Sequence, residues 1–334
     1  VKSRTVLTGV LAVLAGLTGC TAATVAVKKP VYPLEAVEMI APAGRGSGYD
    51  LTIRSISQCL TNMGMVPVPM PVTNKPGGGG IIAMDYLEQN RGQDDVISIF
   101  SPPICLINLN GSTELNYMEN TTPIAQLIMD YGSISVRADS PYQNINQVME
   151  KLKEAPGSVS IGGTSTMGSM DHIQFLKIAR AAGVGNLKDI QYEGFVNGGA
   201  ITQLMGGHVD ILSSGISDVV GLVESGDIRV LAVTAPERLE GEVLSQLPTC
   251  KELGIDAGFI AWRGIFGPAD MPDYAVKYWE AIFKEMSETK EWQAICQKYG
   301  WTMAYKDHDE FLEFLEQVNE EYRELLAEIG LAKS

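Results

Sequence analysis

Short runs of aliphatic and β-branched residues alternate along the chain with segments whose apolar positions recur every three or four residues. The runs stand at Val37–Ala41, Val96–Ile99, Ser133–Arg137, Ser158–Gly162, Ile190–Tyr192, Val209–Leu212 and Val230–Thr234. Runs of this length, bounded by turn residues, predict buried strands. Helical spacing falls between them, at Asp50–Met63, Ile145–Lys153, Asp171–Ala182, Ala200–Met205 and Asp218–Ser225. Alternation of this kind predicts an α/β fold built on mainly parallel sheets. The last third reads differently: Asp273–Lys298 and His308–Ile329 predict two long helices that end near Gly300 and Gly330. In the second, Leu312, Leu315, Val318, Tyr322, Leu325 and Ile329 form an apolar stripe that is expected to pack into the core.

The first residues carry a different signal. Lys2 and Arg4 precede an apolar run from Thr5 to Leu17, which leads into Leu17-Thr18-Gly19-Cys20. A membrane-spanning helix needs about 20 apolar residues, so a charged start with a shorter run predicts an export signal. The four residues ending at Cys20 resemble the bacterial lipobox. That resemblance implies removal of residues 1–19 as a signal peptide and acylation of Cys20, which would tether the chain to a membrane. Residues 20–31 then form the lipidated N-terminus and a linker. No later segment runs far enough without charge to cross a bilayer, so the chain from Tyr32 onward is expected to be soluble and outside the cytoplasm.

Composition narrows the function classes. A chain of 334 residues with 45% hydrophobic content can bury a large core, usually as two domains. Forty acidic residues against 25 basic ones exclude a nucleic-acid partner, which needs basic patches. The same balance requires that any anionic ligand be held by local donors. Cys59, Cys105, Cys250 and Cys296 show neither a CxxC pair nor a metal-ligand spacing, and read as buried small hydrophobes. Of the three histidines, His172 follows Asp171 on a helix without a second histidine four residues on, while His208 and His308 read as surface residues. No GxSxG elbow occurs. No catalytic residue, metal or cofactor is expected, and an enzyme is the weakest of the function classes.

Candidate chemistry gathers where strands end. Ile40-Ala41-Pro42 runs into Ala43-Gly44-Arg45-Gly46-Ser47-Gly48-Tyr49-Asp50, and Ile99-Phe100 into Ser101. Ile161 runs into Gly162-Gly163-Thr164-Ser165-Thr166-Met167-Gly168-Ser169. Tyr192 runs into a loop containing Asn197 and Gly198, and Leu212 into Ser213-Ser214-Gly215-Ile216-Ser217-Asp218. In open α/β sheets such loops gather at one edge, where helix N-termini present free N–H groups to anions. Glycine permits close backbone approach, and serine and threonine add hydroxyl donors. Five such loops predict a pocket for a small anion. A nucleotide fits poorly, because neither GxxxxGK[ST] nor a complete GxGxxG is present.

Several of these segments resemble the tripartite tricarboxylate transporter receptors, the TctC or Bug family. The resemblance starts with Gly46-Ser47-Gly48-Tyr49-Asp50…Arg54 and Val72-Thr73-Asn74-Lys75-Pro76-Gly77-Gly78-Gly79-Gly80. It continues through Gly168-Ser169…His172, Gly206-Gly207-His208-Val209-Asp210 and Gly226-Asp227-Ile228-Arg229-Val230, and ends with Trp262-Arg263-Gly264-Ile265-Phe266-Gly267-Pro268. It implies a two-lobed, hinged fold of the type II periplasmic-binding-protein kind with a central ligand cleft. Lobe 1 would comprise residues 32–133 plus 235–334 and lobe 2 residues 134–234, with the hinge near Ser133–Arg137 and Val230–Ala235. It also implies a monomer that binds a small organic-acid anion and delivers it to a two-subunit membrane permease, or alternatively reports it to a sensor kinase. Residues expected at the cleft are Arg45 through Asp50, Gly79, Ser101, Thr164, Ser165, Gly168, Ser169, Asn197, Gly198, Ser214, Ser217 and Arg263, although many family members have proline at Arg45 and glycine at Ser47. Tyr49 matches the aromatic residue of tricarboxylate-type members, which leans toward citrate-like ligands. Arg45 and Arg263 each admit a second reading, as a solvated charge and a structural ion pair respectively. Asp50 could bind ligand through water or cap its helix.

Overall fold

The computed structural model describes residues 32–195 and 199–333, and its first half follows the predicted alternation. It runs β1 (Glu38–Ala41), α1 (Gly48–Asn62), β2 (Val72–Asn74), α2 (Ile81–Gln89), β3 (Val96–Phe100), α3 (Pro103–Leu109) and α4 (Tyr117–Asn120). Strand β4 (Thr121–Arg137) follows, then α5 (Ile145–Glu154), β5 (Ser160–Gly163), α6 (Met170–Ala181), β6 (Gln191–Gly194), α7 (Ala200–Met205), β7 (Ile211–Gly215), α8 (Ile216–Glu224) and β8 (Ile228–Val233). The chain closes with β9 (Ile260–Pro268), α9 (Asp273–Ser287), α10 (Lys290–Tyr299), β10 (Thr302–Lys306) and α11 (His308–Glu328).

Strand β4 organises the sheet. Its first part pairs antiparallel with β9 and β10, and its last residues, from Gly132 on, pair antiparallel with β7 and β8. Beyond β9 lie β3, β1 and β2, and beyond β7 lie β5 and β6. The outer groups are parallel, as expected, but every pairing of β4 and the β3–β9 pairing are antiparallel. The sequence pattern reveals only residues 133–137 of β4, because Pro123, Asp130 and Gly132 interrupt its apolar run. The predicted helix Asp273–Lys298 is two helices: the chain breaks after Ser287, and Thr289 caps α10 by accepting the Trp292 N–H at 3.1 Å.

Alternation on the strands divides the core into layers. On β3, Ile97 and Ile99 face Ile53 and Ile56 of α1 and Trp279 of α9, while Val96 and Phe100 face the opposite cluster with Phe266 and Phe311. The latter cluster runs without a break from β1 through Ile134 to Phe175 of α6. Helix α11 carries it, burying Leu315, Tyr322, Leu325 and Ile329 of the predicted stripe; Phe311 and Leu326 are buried beside them, while Leu312 and Val318 are half-buried. Its opposite edge is tied to α6 by Lys177–Glu321 at 2.5 Å and Arg180–Glu328 at 3.1 Å. All four cysteines of the described residues are buried and free.

At the point where β4 passes from one half of the sheet to the other, the chain is stapled. Thr234 returns after β8, its N–H donating to Gly132 O at 2.9 Å. Its Oγ1 accepts the Gly132 N–H and donates to Phe259 O, both at 2.7 Å. Gly132 itself admits no side chain, since a Cβ there would collide with the buried Gln174 amide. Replacing Thr234 with Val keeps the shape and orphans one buried N–H and one buried C=O. The expected loss is about 1–3 kcal/mol for each group in urea denaturation, and an unchanged midpoint would show that the staple carries no stability.

Candidate ligand-binding site

The first glycine loop is braced from beneath by Asp50. Ser47 starts α1 as its N-cap, accepting the Asp50 N–H at 3.3 Å. The Asp50 carboxylate points back: Oδ2 accepts the Gly46 N–H at 2.9 Å, and Oδ1 accepts Arg54 Nε and Asn74 Nδ2, each at 2.8 Å. Burial by itself would raise the Asp50 pKa, but donation from Gly46, Asn74 and Arg54 outweighs it and holds the carboxyl below its usual range. Asn74 also donates to Ala43 O at 2.9 Å. Asp50…Arg54 and Val72-Thr73-Asn74 thus position the loop. Arg45 and Gly46 are exposed on it, and Arg45 makes no salt bridge among the described residues. Exposed Gly79 belongs to the neighbouring turn, where Gly80, at φ +112°, packs against Phe100 and Pro42.

Arg263 sits directly behind this loop. A Cβ on Gly48 would stand 2.7 Å from Arg263 Nη2, so only glycine leaves room for the guanidinium. Arg263 is 8% exposed; its Nη1 donates to Thr52 Oγ1, which in turn donates to Gly48 O at 2.8 Å. Its Nη2 meets Asp130 Oδ2 at 3.3 Å, and the Trp301 ring lies 5.3 Å from the guanidinium carbon. Asp130, on β4, is fully buried and also accepts Ser217 Oγ at 2.5 Å and the Tyr131 N–H at 2.9 Å. Burial raises its pKa despite the opposing pull of Arg263 and of the Ser217 and Tyr131 donors. Beside them the Tyr49 hydroxyl pairs with Ser101 Oγ at 2.6 Å, and burial pushes its pKa up to about 12. Gly48, Arg263, Asp130 and Ser217 therefore form one contiguous line from the head of α1 to the head of α8.

The loop after β5 is held by a second carboxylate. Asp171 Oδ2 accepts Thr164 N–H and Oγ1 at 2.7 Å each and Ser165 N–H at 3.0 Å, while Ser165 Oγ accepts the Asp171 N–H at 2.9 Å. Burial raises the Asp171 pKa against these donors. Gly168, at φ +75°, donates its N–H to His172 Nδ1 at 3.0 Å. Burial lowers the His172 pKa to about 4, so the ring is a neutral acceptor there. Ser169 heads α6, buried, and its hydroxyl has no protein partner among the described residues. Ser214 is fully buried, its Oγ 3.4 Å from Ser133 Oγ.

Many of the hydroxyls and amides expected at the strand ends are thus engaged in shaping the loops, while Ser169 and the exposed part of the first loop retain free donors. Asn197, Gly198 and Cys20 lie outside the described residues. Two acidic residues escaped the sequence reading, Asp130 and Asp218. A carboxylate inside the apolar run Ile124–Ser135 is the signal that would have found the first, because a buried charge demands a partner. Among the described residues no cluster of three or more His, Cys, Asp or Glu side chains could hold a metal ion. A cavity of about 390 Å³ lined by Met129, Tyr131, Thr234, Phe259 and Tyr322 lies elsewhere. Neighbouring residues of a strand face opposite sides, so Met129 and Tyr131 point away from Asp130 and its line of polar groups.

Residues 54–331 match the tripartite tricarboxylate transporter family receptor, TctC. The chain belongs to this family. As a member it is a binding receptor and not an enzyme. It is 22% identical over 312 residues to the UPF0065 protein in the gbd 5' region of Cupriavidus necator, covering 91% of this chain and 90% of that one. The fold is that of R. palustris Rpa4515 with adipate, at a TM-score of 0.80 and 20% identity, covering 90% of this receptor and 99% of that chain. It is also that of MatC from Rhodopseudomonas palustris with bound malate, at a TM-score of 0.72 and 19% identity, covering 90% and 99%. The receptor thus has the mixed α/β periplasmic-binding-protein fold.

Replacing Arg263 with Met would leave Asp130 buried without its cation. The expected cost is about 3–5 kcal/mol at pH 8. It should shrink at pH 5, because losing Arg263 raises the Asp130 pKa further and acid then neutralises the carboxyl. Urea denaturation at the two pH values, with Asp130→Asn added to restore stability at pH 8, checks this. An equal loss at both values would assign the effect to packing.

Proposed function

We propose that this receptor is held outside the cytoplasm by lipid on Cys20 and captures a small di- or tricarboxylate for delivery to a two-subunit permease. The observation that carries the reading is the line from Gly48 through Arg263 and Asp130 to Ser217. It joins the N-termini of α1 and α8, which stand on opposite halves of the sheet and face one cleft. Helix N-termini with glycine and serine at their heads suit carboxylate oxygens, because their N–H groups need no countercharge. Malate and adipate bound to proteins of the same fold support that ligand class.

Residues 32–133 plus 235–334 and residues 134–234 serve as the two lobes in this reading, and the β4 crossing at Gly132 with the return at Thr234 is the hinge. Carboxylate bound between the heads of α1, α6 and α8 favours the closed arrangement by mass action. Exposed Arg45 supplies a charge-assisted bond to a second carboxylate, and Tyr49 with Ser101 limits the width of the cleft. These features favour citrate-like acids with more than one carboxylate.

A thermal-shift panel of mono-, di- and tricarboxylates, sugars and amines on the chain from Lys29 onward tests the assignment. Di- or tricarboxylates should raise Tm by several degrees, and calorimetry should return a micromolar or tighter Kd. Ser169→Ala should weaken binding about tenfold with Tm of the free protein unchanged. Stabilisation by sugars or amines alone would sink the reading.

A further inference from the structure

Asp218 is the third residue of α8 and is exposed, in contrast to buried Asp130. The two carboxylates crowd Gly215: a Cβ built there would stand 3.2 Å from Asp218 Oδ2 and 3.3 Å from Asp130 Oδ2. The cation in contact with this group, Arg263, is committed to Asp130 and Thr52. Asp130 spends the Ser217 hydroxyl and the Tyr131 N–H as well. A carboxylate entering between the heads of α1 and α8 therefore meets a second carboxylate, and the one cation beside them, Arg263, is already paired with Asp130. Two anions at contact distance do not both keep their charge.

We propose that Asp218 is the specificity-determining residue of the cleft and binds its ligand as a neutral acid, its carboxyl O–H donating to a carboxylate oxygen. One proton is then taken from solvent for each acid captured, and no covalent bond changes. The inference rests on the carboxylate-receptor reading and adds the proton as a co-ligand. It selects acids able to present a full carboxylate to Asp218 while another carboxylate occupies the glycine loop.

The surroundings of Asp218 agree with this. Although its side chain reaches solvent, the protein packed around Asp218 desolvates the carboxyl; that, then the charges of Asp130 and Asp171, raise its pKa to about 7, with Arg263 and the Gly215 amide opposing. An anionic ligand adds to the raising side, so the complex holds the proton at pH values where the free protein has released it. Of the other groups that face the cleft, Asp130 is held by Arg263, Ser217 and Tyr131, and Asp171 by Thr164 and Ser165. Tyr49 stays protonated, His172 stays neutral down to about pH 4, and Arg45 stands exposed on the first loop.

Calorimetry of the purified protein with malate, adipate and citrate between pH 5 and 9, in two buffers of different protonation enthalpy, tests the proposal. Wild type should take up close to one proton per ligand at pH 8 to 9, and Kd should weaken about tenfold per pH unit above the Asp218 pKa. In Asp218→Asn the amide N–H donates without titrating, so Kd should stay flat from pH 7 to 9 and proton uptake should vanish. A flat wild-type profile without proton uptake overturns the inference, as does a slope that persists in Asp218→Asn. Should the variant fail to fold, the wild-type proton count decides. If none of the three acids binds at any pH, the receptor reading falls and the inference with it; binding that ignores pH sinks the inference alone.

Discussion

A single buried ion pair, Arg263 with Asp130, is the interaction around which this receptor is arranged. Removing both charges from water costs several kcal/mol per ion, and their attraction offsets that only if every remaining donor and acceptor is matched. Here the matching groups come from four directions. Thr52 on α1 accepts from the guanidinium, Gly48 makes room for it, and Ser217 on α8 and the Tyr131 N–H complete Asp130. The requirements of one pair therefore fix the heads of two helices in register with two central strands.

The same economy runs through the loops around it. Asp50 spends its lone pairs on Gly46, Asn74 and Arg54, and Asp171 spends one oxygen on Thr164 and Ser165. A loop held by a buried carboxylate is preorganised, so a ligand that binds it loses little in ordering the chain. Acidic residues thus hold the loops at the strand ends. Asp50 uses both oxygens in this way, whereas Asp171 Oδ1 is buried without a partner among the described residues. The net negative charge of the chain fits the same logic, since capture depends on local donors and not on long-range attraction.

Continuity of the core bears on motion. The apolar cluster that follows α11 spans both halves of the sheet, and α11 reaches α6 through two ion pairs at its surface. The Gly132–Thr234 staple lies where β4 passes between these halves, and α11 packs along β4 beside it. Surface pairs such as Arg180–Glu328 contribute little and can break and reform at small cost.

Much of this was legible in one dimension. Strand ends followed by glycine and hydroxyl residues marked the loops that lead into α1, α6 and α8, because period and turn chemistry are local properties. The apolar stripe of α11 and the burial of the cysteines were equally local. Strand β4 was legible only in its last five residues, since Pro123, Asp130 and Gly132 break an alternation that tertiary packing nonetheless tolerates. The break between α9 and α10 was hidden by continuous helical spacing, although Thr289 is an ordinary cap. What the sequence could not decide was the partner of each charge. Arg263 read equally as ligand contact or structural pair, and Asp50 as ligand or cap. Those choices depend on which carboxylate or amide lies across a gap of about 3 Å, set for Arg263 by segments 133 residues apart and for Asp50 in part by Asn74, 24 residues on. The residue types, their spacing and their local turns came from the sequence; the pairing of charges, and with it the chemistry left open to a ligand, was decided only when the chain had folded.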